Sequence, residues 1–157
     1  MYEYTEDGDG TSVCEFFYAI DDILESVSME TSYMAVTIKT QEGLPLVDDY
    51  AVTQDEEDII TKYISDTARE MAGREFSKLN KHPIEIALPT IKFRADATEE
   101  ADGRESKADE DIAAYLTMGA VQKWCELKAL APQAQLYAAK KAEAGASLHK
   151  SLFEFRL

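Results

Sequence analysis

The stretch TQDEEDIITKYISDTAREMAGREFSKL, residues 53–79, carries the clearest helical signals in the chain. Thr53 and, three residues later, Glu56 form a capping box, whose side chains satisfy free N–H groups at a helix start. The acids at 55–58 complement the positive end of the helix dipole. Side chains that keep one face mostly apolar then recur at helical spacing: Ile59, Ile60, Tyr63, Ile64, Thr67, Met71 and Phe76. We therefore predict a helix over 53–79.

A helix is also predicted upstream, over about 13–35. Ser12 with Glu15 makes another capping box. The apolar residues that follow fit helical spacing: Val13, Phe16, Phe17, Ile20, Ile23, Leu24 and Val27. Ahead of this helix, residues 1–10 are rich in glycine and acids, and we predict a flexible acidic tail there.

Two further helices are predicted in the C-terminal half. One covers 112–130, with one side formed by Ile112, Tyr115, Leu116, Gly119, Ala120, Trp124 and Leu127. Pro132 suits the first position of the next helix, which covers 132–150. The many alanines of that helix permit close approach, so we predict that the two helices form a hairpin.

The stretch IEIALPTIKF, residues 84–93, alternates apolar and polar side chains as a strand does. Pro89 indicates a break or a sheet edge within it. The acidic stretch 96–110 has few apolar side chains and is predicted to be a mobile loop. The predicted fold class is mainly α: a bundle of about four helices with a short β-strand pair. One domain covers 11–152, and a tail follows at 153–157.

The chain of 157 residues has 31 acidic and 16 basic side chains, a formal net charge of −15. This charge repels phosphate groups and anionic lipids, so we expect no specific binding to nucleic acid or to membranes. No apolar run approaches the roughly 20 residues that a membrane-spanning helix needs. The two cysteines, Cys14 and Cys125, are predicted to be reduced, buried thiols.

Motifs for catalysis and for metal binding are absent from the sequence. His82 precedes a proline, and His149 lies in the last turn of a predicted helix, where a cation suits the dipole. No Cys-x-x-Cys, His-x-x-x-His or Glu-x-x-His spacing is present to hold a metal. Gly-rich phosphate-binding loops are absent as well. We expect no enzymatic activity, no metal and no cofactor.

Charge is distributed unevenly along the chain. Residues 1–10, 48–58 and 96–111 are acidic, whereas the C-terminal region is mildly basic and includes Lys140 and Lys141. The acidic part of one copy could attract the basic part of the next, in the head-to-tail arrangement that closes into rings. The alternative is a monomer with a polar surface.

Six segments carry a resemblance to a known family: SVSMETSYMA, YAVTQDEEDII, IITKYISDTAREMAGREF, IEIALPTIKF, DIAAYLTMGAVQKWCEL and AQLYAAKKAEAGASLHKSLF. In their order and spacing they resemble the head–tail connector proteins of tailed bacteriophages, also called neck-ring or adaptor proteins. The phages of Bacteroides-type hosts, including crAss-like phages, are the most similar in this respect. The resemblance covers most of the chain and lies in its helices and spacings.

The resemblance implies a virion structural protein of the neck, made in the host cytoplasm, that forms a ring with copies of itself, commonly a dodecamer. The ring would contact the portal and other neck or tail proteins and surround the channel through which DNA passes. DNA would not be bound specifically, because an acidic lumen repels the duplex and lets it slide. The alternative function is a small acidic regulatory or inhibitor protein, a nucleic-acid mimic or adaptor, that binds basic protein surfaces.

The C-terminal tail is part of the candidate interface. Phe153, Phe155 and Leu157 alternate with polar residues in the period of a strand. In a monomer they would fold back over the core, whereas in an assembly the tail could add a strand to the sheet edge of a neighbour. That edge would be the segment around Ile84 and Ile86. The candidate interface residues are Ile84, Ile86, Lys140, Lys141, Phe153, Phe155, Arg156 and Leu157.

Overall fold

The computed structural model describes residues 1–6, 8–37, 54–97 and 103–154. In chain order the elements are β1 (Tyr2–Glu6), β2 (Ser12–Ala19), α1 (Ile20–Thr37), α2 (Glu57–Met71), β3 (Ile84–Ala87), β4 (Thr90–Asp96), α3 (Glu105–Leu127) and α4 (Ala131–Glu154). A 3-10 turn (Gln54–Glu56) precedes α2, and a π-helical turn (Ala72–Phe76) follows it. Within these described ranges, no helix combines the length and apolarity needed to cross a membrane.

The fold is mainly helical and contains an antiparallel sheet, which confirms the predicted fold class in its coarse form. The β component is larger than the predicted strand pair, because four strands form one sheet in the order β1-β2-β4-β3. The predicted segment 84–93 supplies β3 and β4, and Pro89 lies in the turn between them. β3 is an edge strand of this sheet.

The predicted helix over 13–35 is wrong in its first part, since Ser12–Ala19 form strand β2. β2 pairs with β1 on one side and with β4 on the other. Cys14, Phe16 and Tyr18 alternate along β2 and are buried in the core, which is the period of a strand. The predicted capping box is not formed, because the Glu15 carboxylate binds Thr5 and two basic side chains of β4. The helix begins only at Ile20.

Residues 1–10, predicted to be a flexible tail, contribute strand β1 instead. In β1, Tyr2 lies opposite Phe16 and Tyr4 lies opposite Cys14. The hydroxyl of Tyr4 donates a hydrogen bond to Glu105 in the first turn of α3. The sheet and the start of α3 therefore hold this segment in place.

The acidic stretch 96–110 differs from the predicted loop at both ends. Asp96 is the last residue of β4, and α3 begins at Glu105 rather than near Ile112. Residues 98–102 lie outside the described part of the chain. Glu105 in the first turn of α3 suits the positive end of the helix dipole. Glu105 and, one turn later, Asp109 accept hydrogen bonds from tyrosines of the sheet.

The predicted helical hairpin is confirmed, since α3 and α4 form the most extensive helix pair of the described fold. The close packing of α3 against α2 depends on Gly119 of α3. An added Cβ at this position would lie 2.4 Å from Cγ2 of Thr67 in α2. The core lies between one face of the sheet and the helices. Its largest fully buried side chains include Phe16, Ile60, Ile64, Met71, Phe76, Ile91, Phe93, Ile112, Leu116, Trp124 and Leu148.

Both cysteines are free and buried, as predicted. Burial raises the pKa of the Cys14 thiol to about 12. It raises the pKa of the Cys125 thiol to about 11. The two side chains therefore act as small core groups, and neither is activated as a nucleophile.

Candidate protein-interaction surface

An open groove of about 760 Å³ lies where the end of β2, the start of α1 and the first turns of α3 meet. Its apolar floor includes Tyr18 of β2, Ile23 of α1 and Ala113 of α3. Tyr18 and Ile23 are buried, whereas Ala113 is half-buried. We call this feature the acidic groove, because its rim carries the carboxylates of Glu3, Asp22 and Glu110.

One wall of the acidic groove is fixed by Asp109 of α3. The buried Tyr18 hydroxyl donates a hydrogen bond of 2.7 Å to Oδ1 of Asp109. The N-terminal ammonium of Met1 donates a hydrogen bond of 2.9 Å to the same oxygen. Burial, followed by the hydrogen bond to Asp109, raises the pKa of Tyr18 well above its usual range. Tyr18 therefore remains a hydrogen-bond donor and ties the sheet to the start of α3.

The rim of the acidic groove has a net negative charge. Glu3, Asp22 and Glu110 form no ion pair with a lysine, arginine or histidine of the described residues. Among the described residues, the lining contains no lysine, arginine or histidine, but it does contain the N-terminal ammonium of Met1, which pairs with Asp109. An apolar floor with an anionic rim is complementary to a cationic group carried on an apolar stem.

A second surface is the outer side of α4, which packs mainly on α3. Leu136 is 52% exposed there, and exposed alanines follow along the same helix at 139, 142 and 146. Lys140 lies one turn after Leu136, with its Nζ 4.8 Å from the ring centroid of Tyr137. Tyr137 in turn donates a hydrogen bond of 2.8 Å to Glu30 of α1. This surface combines apolar side chains with a positive charge.

The two surfaces belong to opposite sides of α3. Asp109 and Ala113 of α3 line the acidic groove. Asp111 faces α4, because it accepts a hydrogen bond of 2.6 Å from Ser147. Tyr115 also faces α4, since an added Cβ at Gly145 would lie 3.1 Å from its ring.

The sequence suggested that the acidic and the basic parts of the chain lie at opposite ends of the molecule. The structure differs from this prediction. The hairpin places the acidic start of α3 beside the C-terminal part of α4, as the contact between Asp111 and Ser147 demonstrates.

The predicted interface residues lie in separate parts of the fold. Lys141 is only 16% exposed, and its Nζ lies 3.3 Å from Glu70, so its charge is used within the protein. Lys140 lies on α4, while Ile84 and Ile86 are half-buried on the edge strand β3. The structure does not bring the lysines and the isoleucines together into one site.

Of the C-terminal part of the predicted interface, residues 153–157, the structure describes only the backbone of residues 153 and 154. Phe153 belongs to the last turn of α4, which differs from the predicted strand period at that position. Phe155, Arg156 and Leu157 lie outside the described residues. Leu152, one residue before the predicted tail, is 2% exposed and belongs to the core.

A smaller cleft of about 360 Å³ lies beside the π-helical turn and contains both acidic and basic groups. Here Nδ1 of His149 lies 2.8 Å from Glu75, and Arg74 lies 3.7 Å from Glu70. The basic side chains of this cleft, Arg74 and Lys141, therefore lie beside the carboxylate of Glu70. In the part of the chain that the structure describes, no group of three or more His, Cys, Asp or Glu side chains could hold a metal ion.

Sequence reasoning missed the acidic groove. The available signal was the pair Asp21–Asp22 following a run of aromatic residues, which is the composition of a strand that leads into a helix. Comparisons of the chain with models of known protein families, with characterised proteins and with solved structures give no match.

Proposed function

We propose that the protein is a virion structural protein, a subunit of the head–tail connector of a tailed bacteriophage. Copies of it associate into a closed ring that joins the portal to the tail and surrounds the DNA channel. The order and spacing of the segments, which resemble connector proteins, support this proposal. Its mainly helical fold is compatible with it.

The observation that carries the proposal is the uneven packing of α4. One side of this helix packs on α3, while the other exposes Leu136 and a series of alanines. Small side chains allow a neighbouring subunit to approach closely, and an exposed leucine gains free energy when it is covered. A subunit in a ring has such a neighbour.

The net charge of −15 supports a ring that encloses DNA without binding it. Like charges repel, so a duplex would pass such a surface without adhering to it. In the alternative function, that of an acidic regulatory protein, carboxylates would form a continuous surface for a basic partner. Glu15, Glu56 and Glu70 would not be available to such a partner, because they are engaged in ion pairs within the chain.

The proposal is tested by measuring the mass and shape of the purified protein. Sedimentation velocity over a range of concentrations is expected to reveal a species much heavier than the 17.6 kDa chain. Negative-stain electron microscopy of that species is expected to show closed rings. A monomer at every concentration, with purified portal protein present or absent, would contradict the proposal.

A further inference from the structure

We infer that the acidic groove of one copy binds the α4 helix of a second copy, with Leu136 on the apolar floor and Lys140 at the carboxylate rim. This inference rests on the proposed function, since it assumes that copies of the chain associate. It assigns that association to two defined surfaces of the described structure.

The chemistry of the two surfaces is complementary. The groove offers an apolar floor at Ile23 and Ala113 beneath a rim that includes Asp22 and Glu110. Leu136 and Lys140 are four residues apart on α4 and therefore lie on the same side of the helix. One leucine can cover the floor while the lysine, whose stem is long and flexible, reaches the rim.

Lys140 is the basic side chain of α4 best placed for this role. Lys141 is directed to Glu70, with 3.3 Å between Nζ and the carboxylate. Lys140 has no carboxylate partner among the described residues, and its Nζ rests over the Tyr137 ring. The ring contact leaves the charge close to the exposed side of the helix, one turn from Leu136.

The position of the surfaces determines the kind of assembly. Because the groove and the outer side of α4 lie on opposite sides of α3, one copy cannot present both to the same neighbour in a symmetric pair. Each copy would use its groove on one neighbour and its α4 on the other. Such a heterologous contact closes into a ring when the rotation between copies permits it.

The experiment uses two variants of the full chain, each with one of the two surfaces altered. The groove variant is Asp22→Asn with Glu110→Gln, and the helix variant is Leu136→Ala with Lys140→Gln. Each is expected to raise the protein concentration at half-assembly by at least about tenfold in sedimentation velocity. The matched control is Glu25→Gln with Lys150→Gln, which neutralises exposed charges on α1 and α4 outside the proposed contact and should assemble like the wild type. Circular dichroism checks that every variant is folded.

Mixing the two variants gives the decisive measurement. In the mixture, the helix variant supplies an intact groove and the groove variant supplies an intact α4 surface. The two variants are therefore expected to form a 1:1 dimer that grows no further. The inference is overturned if the groove variant forms rings at wild-type concentrations, or if two folded, monomeric variants do not form the dimer when mixed. If the groove variant forms rings, only the proposed contact is refuted, and the proposed ring remains supported. A wild type that stays monomeric in the same experiment would refute both.

Discussion

The indole Nε1 of Trp124 donates a hydrogen bond of 2.9 Å to Oε2 of Glu56, and Lys128 lies 2.6 Å from the other oxygen of the same carboxylate. Glu56 stands just before α2, and its two partners stand near the end of α3. The carboxylate therefore joins two helices that are far apart in sequence. The sequence had assigned this side chain to a capping box with Thr53, which lies outside the described residues. As the residue before α2, Glu56 makes no side-chain hydrogen bond to the first N–H groups of that helix.

The first prediction concerns the replacement Glu56→Gln. Burial opposes the charge of Glu56, but the hydrogen bonds from Lys128 and Trp124 outweigh it and lower its pKa. The variant is expected to lose about 1–3 kcal/mol of unfolding free energy at neutral pH, since a hydrogen bond to a charged group is weakened. Urea denaturation followed by circular dichroism measures the loss. The exposed Glu57→Gln is the control and should change stability little.

The same pair of proteins tests the pH dependence. Because the folded pKa of Glu56 is depressed, its stabilising effect is present above the usual carboxyl pKa and is lost as the pH falls through the folded value. The difference in unfolding free energy between wild type and Glu56→Gln should therefore shrink at acidic pH. A difference that stays constant down to pH values at which Glu56 is protonated would contradict this account.

Gly119→Ala is expected to destabilise the protein, although alanine is the better helix former. A Cβ at this position would lie 2.4 Å from Cγ2 of Thr67, so α2 and α3 would be forced apart. The expected loss is about 1–3 kcal/mol, as for other overpacked sites, measured by urea denaturation.

A second substitution identifies the clash as the cause. Thr67→Ser removes the offending methyl group and keeps the hydroxyl that donates to Tyr63 at 2.7 Å. The double variant should recover part of the stability that Gly119→Ala loses. Gly73→Ala, where an added Cβ meets nothing within 4 Å, is the matched control and is expected to be neutral or stabilising. If the double variant recovers nothing, the account of close approach is wrong.

The helices α2, α3 and α4 could be predicted because their apolar residues recur with a helical period over many turns. β2 could not be predicted in the same way. Val13, Phe16, Phe17 and Ile20 satisfy helical spacing, while Cys14, Phe16 and Tyr18 satisfy strand spacing. The strand forms because β1 and β4 pair with it, and those partners are distant in sequence or were themselves predicted to be unstructured.

The acidic groove was not predictable for a related reason. Its floor comes from β2, α1 and α3, so its residues meet only after the sheet and the helices have packed. The sequence gives the number of charged side chains, but it does not show which of them form ion pairs in the folded protein. Lys141 appeared to be a surface charge, yet it is directed to Glu70 within the fold.

Tyr18→Phe tests whether Tyr18 fixes the start of α3. The substitution removes the 2.7 Å hydrogen bond to Asp109 and leaves the ring in place. We expect a loss of about 1–3 kcal/mol, because the partner is a charged group. Hydrogen exchange should also become faster in the first turns of α3. Tyr33→Phe, at a ring that is 72% exposed, is the control, and equal effects of the two substitutions would count against the assigned role.

The last prediction separates the core from the predicted C-terminal interface. Leu152 is 2% exposed, so Leu152→Ala is expected to cost about 2–5 kcal/mol of unfolding free energy. A chain shortened to end at Glu154 keeps Leu152 and the whole of α4, and its unfolding free energy should stay close to that of the wild type. If residues 155–157 add a strand to the β3 edge of a neighbour, this shortened chain will remain folded but assemble less readily in sedimentation velocity. A shortened chain that assembles like the wild type would remove the tail from the interface, and one that unfolds would place it in the core of its own subunit.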